Sequence, residues 1–191
     1  MAAMNCHGAR LPHQAGWETS DALRESSGVP PAAPQVVVEV LALRRENGCW
    51  SYRRSAVPLA PRTDPDSTAR AVARVGPRAD VVLHSTSWRY EPSGTLILTY
   101  ALLPDPDSDT DPDRAAAEPL RSLDLARGAY SASPAPAHIS VRHVAAHALR
   151  HLALLAHTDP MVSAALGRYP GLTDALSFLT AEPAGQLIAT R

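Results

Sequence analysis

Lysine is absent from this chain: all 18 basic residues are arginine. That excludes a lysine Schiff base and the phosphate-binding lysine of a P-loop. Cysteine is nearly absent too. Cys6 and Cys49 have no metal or redox spacing, so no disulfide is expected and a reducing compartment follows. Aromatic residues make up 5% of the chain and the net charge is −1, with no basic stretch interleaved with aromatics. This composition predicts no nucleic-acid partner. No apolar run approaches the ~20 residues of a membrane span, and no secretory signal is recognisable. The expectation is therefore a protein with no membrane partner and a cytoplasmic location. No glycine-rich phosphate loop and no Gly-x-Ser-x-Gly elbow occur, which weakens Ser85 or Ser87 as a nucleophile. No cofactor is expected.

What is present points to a folded domain. The chain has 191 residues, 45% of them hydrophobic, enough for one core with tails. Arginine without lysine, 18 prolines and abundant alanine suggest a GC-rich codon bias, as in actinomycetes, and hence a bacterial source. Residues 1–34 lack apolar periodicity and read as a disordered leader, with Met4 as a second candidate start. Residues 35–191 read as a single α+β domain: a small mixed or antiparallel sheet of two hairpins, packed by C-terminal helices.

Val36–Leu43 is almost wholly apolar and β-branched, as in a strand buried on both faces. Asn47-Gly48 then predicts a tight hairpin turn into Trp50–Arg54. Asp64 or Asp66 can cap a short helix, Ser67–Val75, closed by Gly76-Pro77. Asp80–Arg89 and Thr95–Leu103 read as a second hairpin across Glu91-Pro92-Ser93-Gly94. Residues 104–113 form an acidic loop, followed by a weak helix over Arg114–Arg127 and a Pro/Ala-rich linker at 128–137. Helices are predicted at Ser140–His157, Pro160–Leu166 and Leu172–Thr180.

His143, His147 and His151 recur at four-residue spacing in the strongest of these helices. Val141, Val144, Ala148, Leu152 and Leu155 form its core stripe, and the histidines step along the edge of that stripe. Three imidazoles in a row span ~12 Å of helix axis and cannot share one metal. The pair His147/His151, nearest the core, is the candidate metal or general-base site, with His84, His138 or His157 as a third ligand. No Glu lies between them, so the zinc-protease pattern is missing. Structural or surface histidines are the competing reading. Asp107, Asp109, Asp111, Asp113 and Glu118 fit an EF-hand register, but Pro112 occupies its glycine position, which favours a solvated acidic loop.

The phrase His84-Ser85-Thr86-Ser87-Trp88-Arg89-Tyr90 is the other candidate. Strict alternation would put His84, Thr86, Trp88 and Tyr90 on one face, where aromatics could stack a planar ligand. A ligand cleft of His84, Trp88, Arg89 and Tyr90 follows, with His147 and His151 nearby if the helix packs on that strand. An ordinary amphipathic strand is the alternative.

Ala69–Gly76, Ala79–Leu83 and Thr95–Leu103 are together similar to the end of the Nudix helix and the strands after it. The resemblance covers about Val36–Leu103 and implies a Nudix-like scaffold. The family's magnesium-binding glutamates are missing: residues 70–75 hold Ala, Val and Arg. The resemblance therefore implies a possible cleft and no diphosphate hydrolysis. These features favour a non-catalytic domain that binds a small molecule or a partner protein. The alternative is a hydrolase or lyase with a histidine general base, metal-assisted or not.

Overall fold

A computed structural model of the protein describes residues 35–106, 116–130, 132, 136 and 138–179. The 1–34 leader, most of the Asp-rich stretch with its calcium-like register, and most of the 131–137 linker lie outside the described residues.

Val36–Glu46 (β1) and Cys49–Pro58 (β2) form the first hairpin. Its turn residues Asn47 and Gly48 both have positive φ, 48° and 82°. This matches the primed turns whose twist suits a two-residue hairpin. Val82–Tyr90 (β3) and Leu96–Leu103 (β4) form the second hairpin. Gly94, at φ 87°, closes its turn by donating to the Glu91 carbonyl at 2.9 Å. The hairpins join through a parallel pairing of β1 with β4. A two-residue strand, Glu118–Pro119 (β5), completes the mixed sheet in the order β3-β4-β1-β2-β5.

The first helix, Pro65–Ala73 (α1), begins and ends two residues earlier than expected. Asp64 caps it, accepting from the Ser67 amide at 2.8 Å. Arg74, rather than Gly76, closes it in the left-handed conformation at φ 56°. The amides of Arg74 and Val75 bond back to Ala71 and Arg70, which satisfies the last carbonyls without glycine.

The helix expected over 114–127 is not formed in its described part, 116–127. Pro119 has no amide for a helical ladder, and Leu120 instead donates to the Trp50 carbonyl at 2.8 Å while its side chain enters the core. The remaining helices are Val141–Thr158 (α2), Pro160–Leu166 (α3) and Pro170–Ser177 (α4). Asp159 caps α3 with bonds to the Met161 and Val162 amides, and proline opens both α3 and α4.

Side chains of β1 alternate between two cores. Leu41 and Leu43 meet α2, α3 and α4, joined by Ala101 and Leu103. Val38, Val40 and Ala42 meet Ala69 and Ala73 of α1, joined by Tyr100 and Leu102. The buried face of α2 is wider than the predicted stripe: Ala145, Ala146, Leu149 and Ala153 are buried beside Val144, Ala148 and Leu152. Its alanines let the helix axis settle close to the sheet, and each fully buried leucine there contributes roughly 1.5–3 kcal/mol. The result is an α+β fold, a mixed sheet packed by the C-terminal helices, with α1 on its other face.

Candidate functional site

The pairing of β3 with β4 decides what the strand presents. His84 pairs with Ala101 and Ser85 with Tyr100, but the next pair is Ser87 with Thr99. Thr86 is an extra residue, a β-bulge, and is buried at 8% exposure. Directly opposed residues share a face, and the bulge shifts the alternation by one. His84, Ser87 and Arg89 therefore lie on the α2 side. Trp88 pairs with Leu98 and Tyr90 with Leu96, on the α1 side. The single face of His84, Thr86, Trp88 and Tyr90 expected from strict alternation does not exist.

On the α2 side, the helix brings His147 and His151 to β3. The imidazoles of His84 and His151 are 5.6 Å apart and those of His147 and His151 are 6.0 Å apart. Nε2 of His147 lies 3.3 Å from the Thr86 carbonyl, so it carries the proton and ties α2 to the bulge. Burial lowers the His147 pKa, against the bond to Thr86, which raises it. Burial also lowers that of His151, reinforced by the charges of His147 and His84. His143 stays at the helix start, where its Nδ1 accepts from the Ser140 amide at 3.4 Å.

The metal reading of this histidine group is overturned. Among the described residues, no group of three or more His, Cys, Asp or Glu side chains could hold a metal ion. Of the third ligands expected, His84 does reach His151, but the three rings do not form a group that could hold a metal, and neither His138, His157 nor a carboxylate completes one. The imidazoles meet as packed rings between a helix and a strand.

Beside them lies a charged assembly that the sequence reading missed. Glu39, the fourth residue of β1, is fully buried. Arg89 holds it bidentately, Nη1 to Oε1 at 2.7 Å and Nη2 to Oε2 at 2.9 Å. Arg54 donates from Nε to Oε2 at 2.5 Å. Thr99, also fully buried, donates from Oγ1 to Oε1 at 3.0 Å. Burial pushes the Glu39 carboxyl up, but the hydrogen bonds and charges of Arg89 and Arg54 outweigh it and hold the carboxyl below its ordinary range. The available signal was one glutamate inside the apolar run Val36–Leu43. Arg89, expected in a ligand cleft with Trp88 and Tyr90, instead grips this carboxylate from the opposite face.

On the α1 side, Trp88 is 69% exposed and Tyr90 63% exposed. Half-buried Leu96 and Leu98 lie opposite them on β4. β3 ends the sheet, so its outer edge has no neighbouring strand among the described residues. The four expected cleft residues thus divide, His84 and Arg89 to the α2 side of the sheet, Trp88 and Tyr90 to the other side and into solvent.

No helix among the described residues is long and apolar enough to cross a membrane. Compared with protein-family models, with curated proteins and with solved structures, the chain matches none. The bacterial, cytoplasmic and Nudix-like assignments expected from the sequence consequently have no relative to support them, and no site residue is carried over from a family.

Proposed function

We propose that this is a non-catalytic binding domain that takes up an extended segment of a partner protein along the outer edge of β3, with Trp88 and Tyr90 as anchors. The observation that carries the proposal is the exposure of these two aromatics side by side on an edge strand, at 69% and 63%. Exposed large apolar groups in a contiguous strip mark interaction surfaces more often than they occur by chance. An open strand edge offers alternating N–H and C=O groups, and another extended backbone is their natural complement. The bulge at Thr86 interrupts the β3–β4 ladder, which leaves residues 87–90 as the regular stretch that carries both aromatics. Small-molecule stacking between the aromatics is the narrower version of the same reading.

The alternative is a hydrolase or lyase with His147 or His151 as general base. Such a base is usually oriented by a carboxylate or another polar group and faces the substrate. Here His147 donates to a backbone carbonyl, and the ring contacts of His151 among the described residues are to His84 and His147.

Panning a random peptide library on the intact protein tests the proposal. Peptides enriched on the wild type should bind at least tenfold more weakly to a Trp88→Ser/Tyr90→Ser variant. Peptides that bind both proteins equally, or no enrichment at all, would contradict it.

A further inference from the structure

Two successive carbonyls at the β3 bulge each hold an imidazole proton. Nδ1 of His84 donates to the Ser85 carbonyl at 2.7 Å, and Nε2 of His147 donates to the Thr86 carbonyl at 3.3 Å. Each ring thus has its proton fixed on one nitrogen, and the other nitrogen is the one that would take up a second. His151 meets both rings, at 5.6 Å from His84 and 6.0 Å from His147. All three side chains are half-buried in one contact, α2 against β3. Neutral imidazoles can pack this way. A proton on one of them puts a charge beside a second basic ring, and protons on two put like charges in contact.

The elements around the rings hold their carboxylates elsewhere. On α2 the other ionisable residues are Arg142, His143, Arg150 and His157, all basic. On β3, Arg89 is gripped by Glu39 and faces Glu91, and Tyr90 lies on the α1 side. The one ionisable residue of β4, Tyr100, bonds to Asp66 of α1. β1 contributes Glu39, committed to Arg89 and Arg54, and at its far end Arg44, Arg45 and Glu46, the last paired with Arg44. α3 has no ionisable residue, and α4 has only the exposed Asp174. Asp159 caps α3, and Asp80, ahead of β3, pairs with Arg168. Burial lowers the His151 pKa, and the charges that add to the effect are those of His147 and His84.

The strand on the other side of this contact is the one most easily moved. β3 ends the sheet and pairs with β4 alone, and its ladder is interrupted between Ser85 and Ser87, beside the rings. An edge strand with a broken ladder opens at lower cost than the strands inside the sheet. We infer that His84, His147 and His151 form an acid-sensitive latch: neutral, they hold β3 against α2, and protonated, they push it away, so that β3 opens locally while the β1–β2 hairpin stays closed. The latch does not depend on a partner at Trp88 and Tyr90.

Hydrogen–deuterium exchange of the full chain at pH 7.5 and pH 5.5 tests the latch, each rate being divided by that of an unstructured chain at the same pH. Protection of the amides bonded between β3 and β4 should fall at least tenfold at pH 5.5. Protection of the β1–β2 hairpin should change less than threefold. His151→Gln removes the ring common to both contacts, and in that variant the fall at β3 should shrink below threefold. Circular dichroism establishes that the variant is folded, and His84→Gln on the edge strand provides a second route if it is not. Unchanged protection of β3 in the wild type, an equal fall in both hairpins, or an undiminished fall in the folded variant would overturn the inference.

Discussion

The helix-rich face of the sheet buries a carboxylate held by two arginines, whereas the α1 face leaves a tryptophan and a tyrosine in solvent. Both faces draw on the same strands. On the α2 side three helices cover Leu41, Leu43, Ala101 and Leu103, and Glu39 lies at the margin of that core, paired and dry. On the other side the nine-residue α1 packs over β1, β2 and β4 through Ala69 and Ala73. The strip at Trp88 and Tyr90 is left uncovered. The difference teaches that cover, more than composition, decides the role of each face: three helices close over one side, and apolar surface stays open beyond the end of the single nine-residue helix on the other.

The strongest way to break this comparison is to remove the buried anion. Glu39→Ala would leave Arg89 and Arg54 facing each other without their counter-charge, and a loss of about 3–5 kcal/mol is expected in urea unfolding. Next, Leu149→Ala under α2 should cost about 2–5 kcal/mol, because the side chain is fully buried. Val72→Ala on half-buried α1 should cost about 1 kcal/mol or less, and equal losses on the two faces would undo the contrast.

A smaller effect depends on pH. Burial lowers the pKa of both His147 and His151 in the folded state. The unfolded chain then binds more protons near its ordinary histidine pKa of about 6.5. The stability these residues contribute is present above that pH and is lost as pH falls below it. Unfolding measured between pH 7.5 and 5.5 should show this decline, and His147→Gln/His151→Gln should flatten it. The smallest change expected is in the stability of Trp88→Ser/Tyr90→Ser, within about 0.5 kcal/mol of wild type, because both side chains are exposed. A large loss there would mean that the aromatics are structural.

Much of the fold was legible because its signals are local. The apolar run of β1, the Asn47-Gly48 turn and the aspartate and proline helix starts each state their conformation within a few residues. The helix expected near Pro119 failed because Leu120 gains more from the core and from the Trp50 carbonyl than from a helical turn. The site was less legible. Alternation through His84–Tyr90 assumes an uninterrupted ladder, and one extra residue at Thr86 reverses every assignment after it. Nothing in Ser85-Thr86-Ser87 announces that bulge. The Glu39 assembly joins residues of β1, β2, β3 and β4, a pairing that exists only once the sheet is formed. The histidine spacing was visible, and the fold brings His84 beside His151, but no group of three among the described residues could hold a metal ion.

The most direct test of the account concerns the direction in which Trp88 points. In a Trp17→Phe/Trp50→Phe protein, Trp88 is the sole tryptophan, and its quenching by neutral acrylamide reads its exposure. The account predicts red-shifted emission and quenching close to that of a free indole, both unchanged by the histidine substitutions. Blue-shifted emission protected from acrylamide would place Trp88 beneath the helices. That result would contradict both the bulge and the outward binding strip built on it.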